Sequence, residues 1–230
     1  MKIWELNIKV YIIEDIYKDD AAGCISKVID KSFLHNEKYS KFHEENKYKL
    51  YCFNSFYPLE KSGIYKKGNI YNILLRTVDD NLADYFCNNL VNEYTNKIKV
   101  LTINKRIIPQ KQIEKLYSIS PAVAKFKEGY WKSIYGVDVF EKRLKDNLIK
   151  KYNQFANTKI DEDFEFINHI EFINKKPIAV KYKGISVLGD KVSLKIAENK
   201  MAQELAYFAI GSGILEMCSR GCGFVGYRWL

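Results

Sequence analysis

Cysteine and histidine are scarce in this chain, which limits the disulfide frameworks and metal sites that it can form. Its five cysteines are an odd number and include no Cys-x-x-Cys pair, and there are only three histidines. Cys218 and Cys222 lie close together, but no histidine is near them to complete a zinc site. No carboxylates show metal-site spacing either. We therefore expect reduced thiols, as in a cytoplasm, and neither a metal ion nor another cofactor.

Long apolar runs are absent as well. No segment approaches the roughly 20 apolar residues that a membrane helix needs. Residues 1–13 alternate apolar and polar side chains instead of forming the apolar block of a signal peptide. These absences predict a soluble, cytoplasmic protein without a membrane partner. Its 230 residues, 47% of them hydrophobic, are enough for one large domain or two small ones.

Acidic residues are outnumbered by basic ones, 28 to 37, which gives a formal net charge of +9 at pH 7. A basic surface favours a polyanionic partner because each neutralised phosphate releases condensed counterions. Aromatic residues make up 14% of the chain, and unpaired RNA bases stack on such side chains. The composition favours nucleic acid as the partner. The alternative is a surface whose lysines serve solubility alone.

Hydrophobic periodicity divides the first half of the chain into six elements. Trp4 to Ile12 alternates with period two, which predicts a strand, and apolar residues three or four apart after Asp19 and Asp79 predict helices. The predicted strands cover residues 4–12, 50–57, 71–75 and 98–108, and the predicted helices cover 22–33 and 82–90. The order is strand, helix, strand, strand, helix, strand.

The second half repeats this order. Predicted strands cover residues 119–126, 164–172, 178–188, 192–196 and 224–230, and predicted helices cover 140–152 and 199–211. Gly189-Asp190 is a hairpin signal, and Asn199 and Gly211 are the expected caps of the last helix. Two consecutive βαββαβ units predict an α+β protein with two tandem ferredoxin-like domains, residues 1–112 and 113–230.

Three motifs resemble the CRISPR-associated endoribonucleases that cut precursor CRISPR RNA within its repeats, a family of the RAMP superfamily. The segment from His43 to Phe56 is similar to the catalytic region of that family, and Ser118 to Val123 is similar to the opening of its second domain. Gly211-Ser212-Gly213 and Gly221-Cys222-Gly223 resemble its glycine-rich loop. The motifs follow the family's order along essentially the whole chain. The resemblance implies two ferredoxin-like domains and a ribonuclease that needs no metal.

His43 is the expected proton-transfer residue, because imidazole titrates nearest to the working pH. RNA carries its own nucleophile in the 2′-hydroxyl, and the implied products are a 2′,3′-cyclic phosphate and a 5′-hydroxyl. Lys49, and with it Lys47, are expected to offset the charge that builds on the pentavalent phosphorane. In several members of the family a tyrosine of the first helix also contributes. Counting along that helix reaches Ser26 here, and Tyr39 is the alternative in space.

Each of these residues also has a structural interpretation. A histidine in a lysine-rich segment is often only solvated, and His35 is expected to be structural at a helix end. His169, on a strand face, is expected to be paired either at the surface or across the RNA groove. Lys47 and Lys49, two residues apart before a strand, are expected to share a face. The basic residues of the second-domain helix are expected either on a solvated face or beside RNA. They are Lys142, Arg143, Lys145, Lys150 and Lys151.

The glycine-rich loop is the expected RNA contact near the C-terminal end. Glycine lets backbone N–H groups approach phosphates closely, and Arg220 would pair with one of them. The alternative is that Gly211 caps a helix while Gly221 and Gly223 form a turn or a bulge. The predicted RNA-binding residues are Gly211, Gly213, Arg220, Gly221 and Gly223, with Lys181 and Lys183 lining a groove.

The residues and the resemblance together predict a metal-independent endoribonuclease that matures CRISPR RNA, with precursor repeat RNA as its partner. The alternative is a non-catalytic RNA-binding subunit of a CRISPR effector complex. A third hypothesis is a general RNA-recognition module, but the chain lacks an Arg/Lys-Gly-Phe-Gly-Phe type signature. The sequence leaves open whether the protein is a monomer or a homodimer and whether it joins a larger effector complex.

Overall fold

The computed structural model describes residues 1–230, whose strands form two four-stranded sheets, one in an N-terminal lobe that ends with the strand Ile98–Ile108 and one in a C-terminal lobe that begins with the strand Ile113–Ser118. The elements of the N-terminal lobe are β1 (Ile3–Ile12), β2 (Ile16–Tyr17), α1 (Ala21–Phe33), α2 (Glu37–Glu44), β3 (Tyr51–Phe53), β4 (Ile64–Tyr65), β5 (Ile70–Thr77), α3 (Asp80–Asn89) and β6 (Ile98–Ile108). The C-terminal lobe contains β7 (Ile113–Ser118), α4 (Val137–Ala156), β8 (Ile167–Phe172), β9 (Ile178–Tyr182), β10 (Ile185–Gly189), β11 (Val192–Ile196), α5 (Lys200–Ser212) and β12 (Val225–Trp229). None of the helices is both long and apolar enough to cross a membrane.

The N-terminal lobe is an antiparallel sheet covered on one face by helices α1 and α3. Its strand order is β3-β5-β1-β6, and β1 pairs with β5 and β6 along its length. The alternation in β1 buries Leu6, Ile8 and Val10 in one apolar cluster with the inner faces of both helices. Since side chains of a strand alternate between faces, the period-two pattern directly produces this half-buried strand.

The C-terminal lobe repeats the same topology with the strand order β12-β7-β11-β8. Phe140, Leu144 and Leu148 form the apolar stripe of α4 and are fully buried in the core of this lobe. Asn199 caps α5, as predicted, because its side chain accepts a hydrogen bond from the backbone N–H of Ala202 at 2.9 Å. The tandem ferredoxin-like prediction is therefore confirmed.

Several predicted elements differ from those observed. The first strand of the C-terminal lobe is β7, which ends at Ser118, so the predicted strand at 119–126 is wrong. The hairpin turn lies at Lys183–Gly184 between β9 and β10. Asp190, which was expected in a hairpin turn, is fully buried instead. Hydrogen bonds from Tyr130 and Trp131 satisfy its carboxylate there. Helix α2 has no buried residue, and the sequence did not predict it.

The two lobes share an apolar core. Ile3, Val78 and Ile108 of the N-terminal lobe belong to the same buried cluster as the inner face of α5. The hydroxyl of Tyr207 on α5 donates to the carbonyl of Ile108 at 2.5 Å. Helix α5 therefore packs against the N-terminal sheet and brings the loop that follows it to the junction of the lobes.

Candidate active site at the junction of the lobes

His43 lies in the last turn of α2. Asn36 begins this helix, since its side chain accepts a hydrogen bond from the backbone N–H of Lys38 at 3.0 Å. The imidazole of His43 packs against the ring of Phe33 with their centroids 5.6 Å apart, and 29% of the side chain is exposed. The ring is therefore held by apolar contacts on one side and remains accessible from solvent.

Asp30 of α1 joins His43 to the C-terminal lobe, and no local pattern in the sequence marks this residue. Its Oδ2 accepts a hydrogen bond from Nη1 of Arg220 at 2.6 Å, and its Oδ1 lies 3.5 Å from Nδ1 of His43. Burial lowers the pKa of Arg220, but the adjacent Asp30 outweighs this effect and the pKa is raised. Arg220, predicted to pair with a phosphate, is in this structure paired with a protein carboxylate.

The ammonium group of Lys49 lies at the C-terminal end of α2. It donates to the carbonyl of Glu45 at 2.7 Å and to the carbonyl of Phe42, the residue before His43. Burial lowers the pKa of Lys49, and the nearby Glu45 carboxylate offsets this only in part. Lys47 is more exposed and forms an ion pair with Glu45 at 3.1 Å. Both lysines precede β3 in an irregular segment and line the same cavity.

The structure separates the two candidates for a third catalytic residue. Ser26 is buried one helical turn before Asp30, on the face of α1 that meets the glycine-rich loop (residues 211–223). Tyr39 points elsewhere, because its hydroxyl donates to the carbonyl of Asn81 at 3.1 Å and its ring stacks on Tyr85. Burial raises the pKa of the Tyr39 hydroxyl. Ser26 thus remains beside the site, whereas the hydroxyl of Tyr39 is hydrogen-bonded to the backbone of α3.

The glycines of the loop are mostly packed against protein. A Cβ atom at Gly211 would lie 2.7 Å from Cγ1 of Val78, and one at Gly223 would lie 2.0 Å from the carbonyl oxygen of Ile214. Gly211, Gly213 and Gly223 are buried, which assigns them to packing rather than to the phosphate contact predicted from the motif. Gly211 lies inside α5, and the C-cap is Gly213 with φ of 72°.

Gly221 is the more exposed glycine of the loop. It follows a short 3₁₀ helix, Cys218–Arg220, and has φ of 85°. A Cβ atom there would lie 2.9 Å from the ring of Phe53 and 3.0 Å from Cβ of Ala22. The absence of a side chain thus lets the loop approach α1 closely enough for Arg220 to reach Asp30.

Two residues of α4 support the site, and the sequence analysis did not identify their roles. Lys151 is buried, and its ammonium group donates to the carbonyls of Gly213 at 3.0 Å and Leu215 at 2.6 Å. The side-chain amide of Gln154 donates to the carbonyl of Tyr48 at 2.8 Å and accepts from its N–H at 3.1 Å. Helix α4 therefore fixes both the glycine-rich loop and the segment that carries Lys47 and Lys49.

A cavity of about 230 Å³ opens beside Lys49. Lys47 and Tyr48 line it from the N-terminal lobe, and Lys125 and Ser219 line it from the C-terminal lobe. A second cavity of about 550 Å³ separates α1 from the β9–β10 hairpin and contains Lys181 and Lys183. Lys181 forms an ion pair there with Asp20 at 3.1 Å. The hairpin lysines therefore face α1, and they do not line the cavity beside Lys49.

The other two histidines lie outside this constellation. His35 contacts the Glu93 carboxylate, which also pairs with Lys31 at 2.9 Å, so it has the structural role expected of it. His169 is exposed on β8 and has no ion-pair partner. Its expected pairing at the surface is absent. Of the three histidines, His43 is the one that the fold brings to Lys49 and the glycine-rich loop.

Comparisons with known proteins match this chain to one family. The family model described as CRISPR associated protein Cas6, C-terminal, matches residues 102–227. No curated protein matches the sequence. A solved structure described as CRISPR associated protein Cas6 aligns with a TM-score of 0.72 at 20% identity, covering 98% of this chain and 99% of that one.

Two further solved structures share the fold. A RAMP protein described as binding different RNA substrates aligns with a TM-score of 0.74 at 16% identity over 98% of this chain and 99% of its own. A product complex of Cas6 from Thermus thermophilus aligns with a TM-score of 0.64 at 16% identity over 99% of both chains. The family model covers more than half of the sequence, from β6 to β12. The chain therefore belongs to the Cas6 family of CRISPR-associated proteins.

Proposed function

We propose that this protein cleaves precursor CRISPR RNA within its repeats by attack of a ribose 2′-hydroxyl on the adjacent phosphate. The observation that carries the proposal is the meeting of His43 and Arg220 on Asp30, next to Lys49, at the junction of two ferredoxin-like lobes. Membership in the Cas6 family supports CRISPR RNA as the substrate class. A relative described as binding different RNA substrates and a Cas6 relative solved as a product complex support the same class.

His43 moves the proton in this mechanism. Its imidazole takes the proton from the 2′-hydroxyl as the oxygen attacks phosphorus. The P–O5′ bond then breaks, and the imidazolium gives this proton to the departing 5′-oxygen. A positioned acid or base of this kind contributes about 10²–10⁴-fold to the rate. The products are a 2′,3′-cyclic phosphate and a 5′-hydroxyl. The nucleophile belongs to the substrate, so this route requires no metal-bound water.

Lys49 stabilises the phosphorane. Two backbone carbonyls hold its ammonium group at the end of α2, and an ammonium group has three protons to donate. The remaining proton is available to a phosphate oxygen as negative charge builds there. Lys47 and Lys125, which line the cavity beside Lys49, bind the flanking phosphates. Lys181 and Lys183 on the hairpin extend the basic surface toward the rest of the repeat.

One observation favours the alternative of a non-catalytic RNA-binding subunit. Arg220 is paired with Asp30, and Lys49 holds the end of α2 through backbone carbonyls, so both cations have structural partners without RNA. In that case the site would bind the RNA backbone without cutting it. The two functions differ in a single measurement, the integrity of the RNA after binding.

Incubation of the protein with a repeat-containing transcript in EDTA tests the proposal. We expect cleavage at one position per repeat, with a cyclic phosphate on the upstream product. His43→Ala should reduce the single-turnover rate about 10²–10⁴-fold while RNA affinity persists. His169→Ala, a histidine exposed on β8, is the matched control and should cut at the normal rate. Tight binding without cleavage by the unmodified protein would instead establish the non-catalytic alternative.

A further inference from the structure

One buried oxygen atom beside His43 has no hydrogen-bond donor. It is Oδ1 of Asp30, and Nδ1 of His43 lies 3.5 Å from it. A buried acceptor without a partner is destabilising, and more so when it is charged, so such atoms are rare in folded proteins. This carboxylate oxygen therefore needs a hydrogen-bond donor, and the nearby imidazole nitrogen is able to supply one.

The orientation of this carboxylate is fixed from the other lobe. Arg220 holds Oδ2 at 2.6 Å, and its own position is set by the 3₁₀ turn between Met217 and Gly221. Both flanking residues have positive φ, 62° and 85°. This backbone conformation is costly for a residue such as Met217 and persists only where the surrounding structure determines it. The second oxygen, Oδ1, consequently points at a fixed place next to the imidazole.

We propose that Asp30 is a positioning residue for His43, with Oδ1 accepting the Nδ1 proton and Arg220 holding the carboxylate in place. The inference rests on the proposed function, in which His43 moves the proton. In the neutral imidazole only one nitrogen carries hydrogen. A proton held at Nδ1 leaves the Nε2 lone pair free to take the 2′-hydroxyl proton. The P–O5′ bond then breaks, and that proton passes from Nε2 to the departing 5′-oxygen.

The charges around the imidazole support this role. Two cations lie close to the imidazole: Arg220, whose guanidinium pairs with Asp30, and Lys49, whose ammonium group donates to the carbonyl of Phe42. Proton transfer to His43 adds a positive charge next to these cations. Asp30 is the carboxylate that pairs with His43, whereas the carboxylate of Glu45 pairs with Lys47. A carboxylate at this place stabilises the imidazolium that the reaction creates.

The tautomer of His43 can be measured without any substrate. ¹⁵N NMR of the full-length protein, above the titration range of imidazole, should show a proton on Nδ1 and none on Nε2. In Asp30→Asn the amide can also donate to Nδ1, so the preference should be lost. A proton on Nε2 in the unmodified protein would overturn the inference, whether or not the variant folds.

Cleavage kinetics provide a second test. Asp30→Asn should slow single-turnover cleavage about 10- to 100-fold, less than His43→Ala, with unchanged RNA affinity. Asp30→Glu, which keeps the charge, should recover part of the rate. Asp84→Asn removes an exposed carboxylate of α3 that pairs with Lys105 and should cut at the normal rate.

The two proposals fail in different ways. If the unmodified protein does not cut RNA, the proposed function is wrong, while the NMR measurement still decides whether Asp30 positions His43. If Asp30→Asn cuts at the normal rate and keeps the Nδ1 tautomer, the positioning role is refuted and the ribonuclease assignment stands.

Discussion

Replacing Lys151 with methionine removes the ammonium group that holds the glycine-rich loop against α4. In the structure this group is buried and donates to the carbonyls of Gly213 and Leu215, with Sγ of Cys218 as a third contact at 3.3 Å. Methionine has similar length and no donor. The substitution therefore leaves two buried carbonyl oxygens without their strong donor, and only weak contacts from Ser212 and Cys218 remain.

The expected loss follows from these contacts. Each buried acceptor left without a donor costs about 1–3 kcal/mol, so two carbonyls together cost about 2–6 kcal/mol. The methionine side chain avoids the desolvation of a buried ammonium group, which offsets part of this cost. We expect the free energy of unfolding to fall by about 2–4 kcal/mol, a large share of the roughly 5–15 kcal/mol of a folded protein.

Urea unfolding followed by circular dichroism measures this change. Lys150→Met is the matched control, since Lys150 is the neighbouring residue on the same helix and is exposed. Its effect should stay within about 0.5 kcal/mol. Lys151→Met should also reduce RNA cleavage, because the displaced loop carries Arg220. If the two variants unfold at the same urea concentration, the proposed role of Lys151 in holding the loop is wrong.

Two further predictions concern the C-terminal lobe. Gly223→Ala should lower the free energy of unfolding, measured in urea, by about 2 kcal/mol more than Gly184→Ala. Both glycines have positive φ, but only a Cβ atom at Gly223 would meet a backbone atom. Equal losses for the two variants would contradict this prediction. For Asp190, burial raises the pKa, but hydrogen bonds from Asn174, Trp131 and Lys132 outweigh it and hold the pKa below its usual value. Its stabilisation is therefore present above the unfolded-state pKa of about 4 and is lost as pH falls below it. Unfolding of Asp190→Asn should be less sensitive to acid than that of the unmodified protein, and parallel pH profiles would refute this.

The strands and long helices could be predicted because each buries one face. In β1 the period of two, and in α4 the spacing of Phe140, Leu144 and Leu148, record which residues meet the core. Helix α2 could not be predicted in this way, because none of its residues is buried and it has no apolar stripe. Its signals were local and weak, an Asn36 cap and Glu37 in the first turn.

The candidate site was predicted only in part. His43 and Lys49 were identified through their resemblance to a family motif, and the structure places His43 in the last turn of α2 and the ammonium group of Lys49 at the end of that helix. Asp30 was missed because its partner Arg220 lies 190 residues away in the sequence, so no spacing rule connects them. Lys151 was expected either on a solvated face or beside RNA. Its buried position was missed for the same reason, since its acceptors come from a loop more than 60 residues away.

The glycine motif shows a further limit of sequence patterns. A glycine is required wherever a side chain would not fit, and the pattern does not say whether the space is taken by a ligand or by the protein itself. At Gly211 and Gly223 the space is taken by Val78 and by the carbonyl of Ile214. These glycines allow the loop to pack tightly, and tight packing is what brings Arg220 to Asp30.

The site also depends on both lobes at once. Gln154 of α4 holds the backbone of Tyr48, and Arg220 holds Asp30, so residues of the C-terminal lobe fix both segments that surround His43. The predicted domain boundary falls between β6 and β7, yet the apolar core continues across it through α5. Two repeats of one topology therefore do not amount to two independent units here. The geometry of the imidazole is set by the packing of the lobes against each other, because the residues that orient it come from opposite ends of the chain.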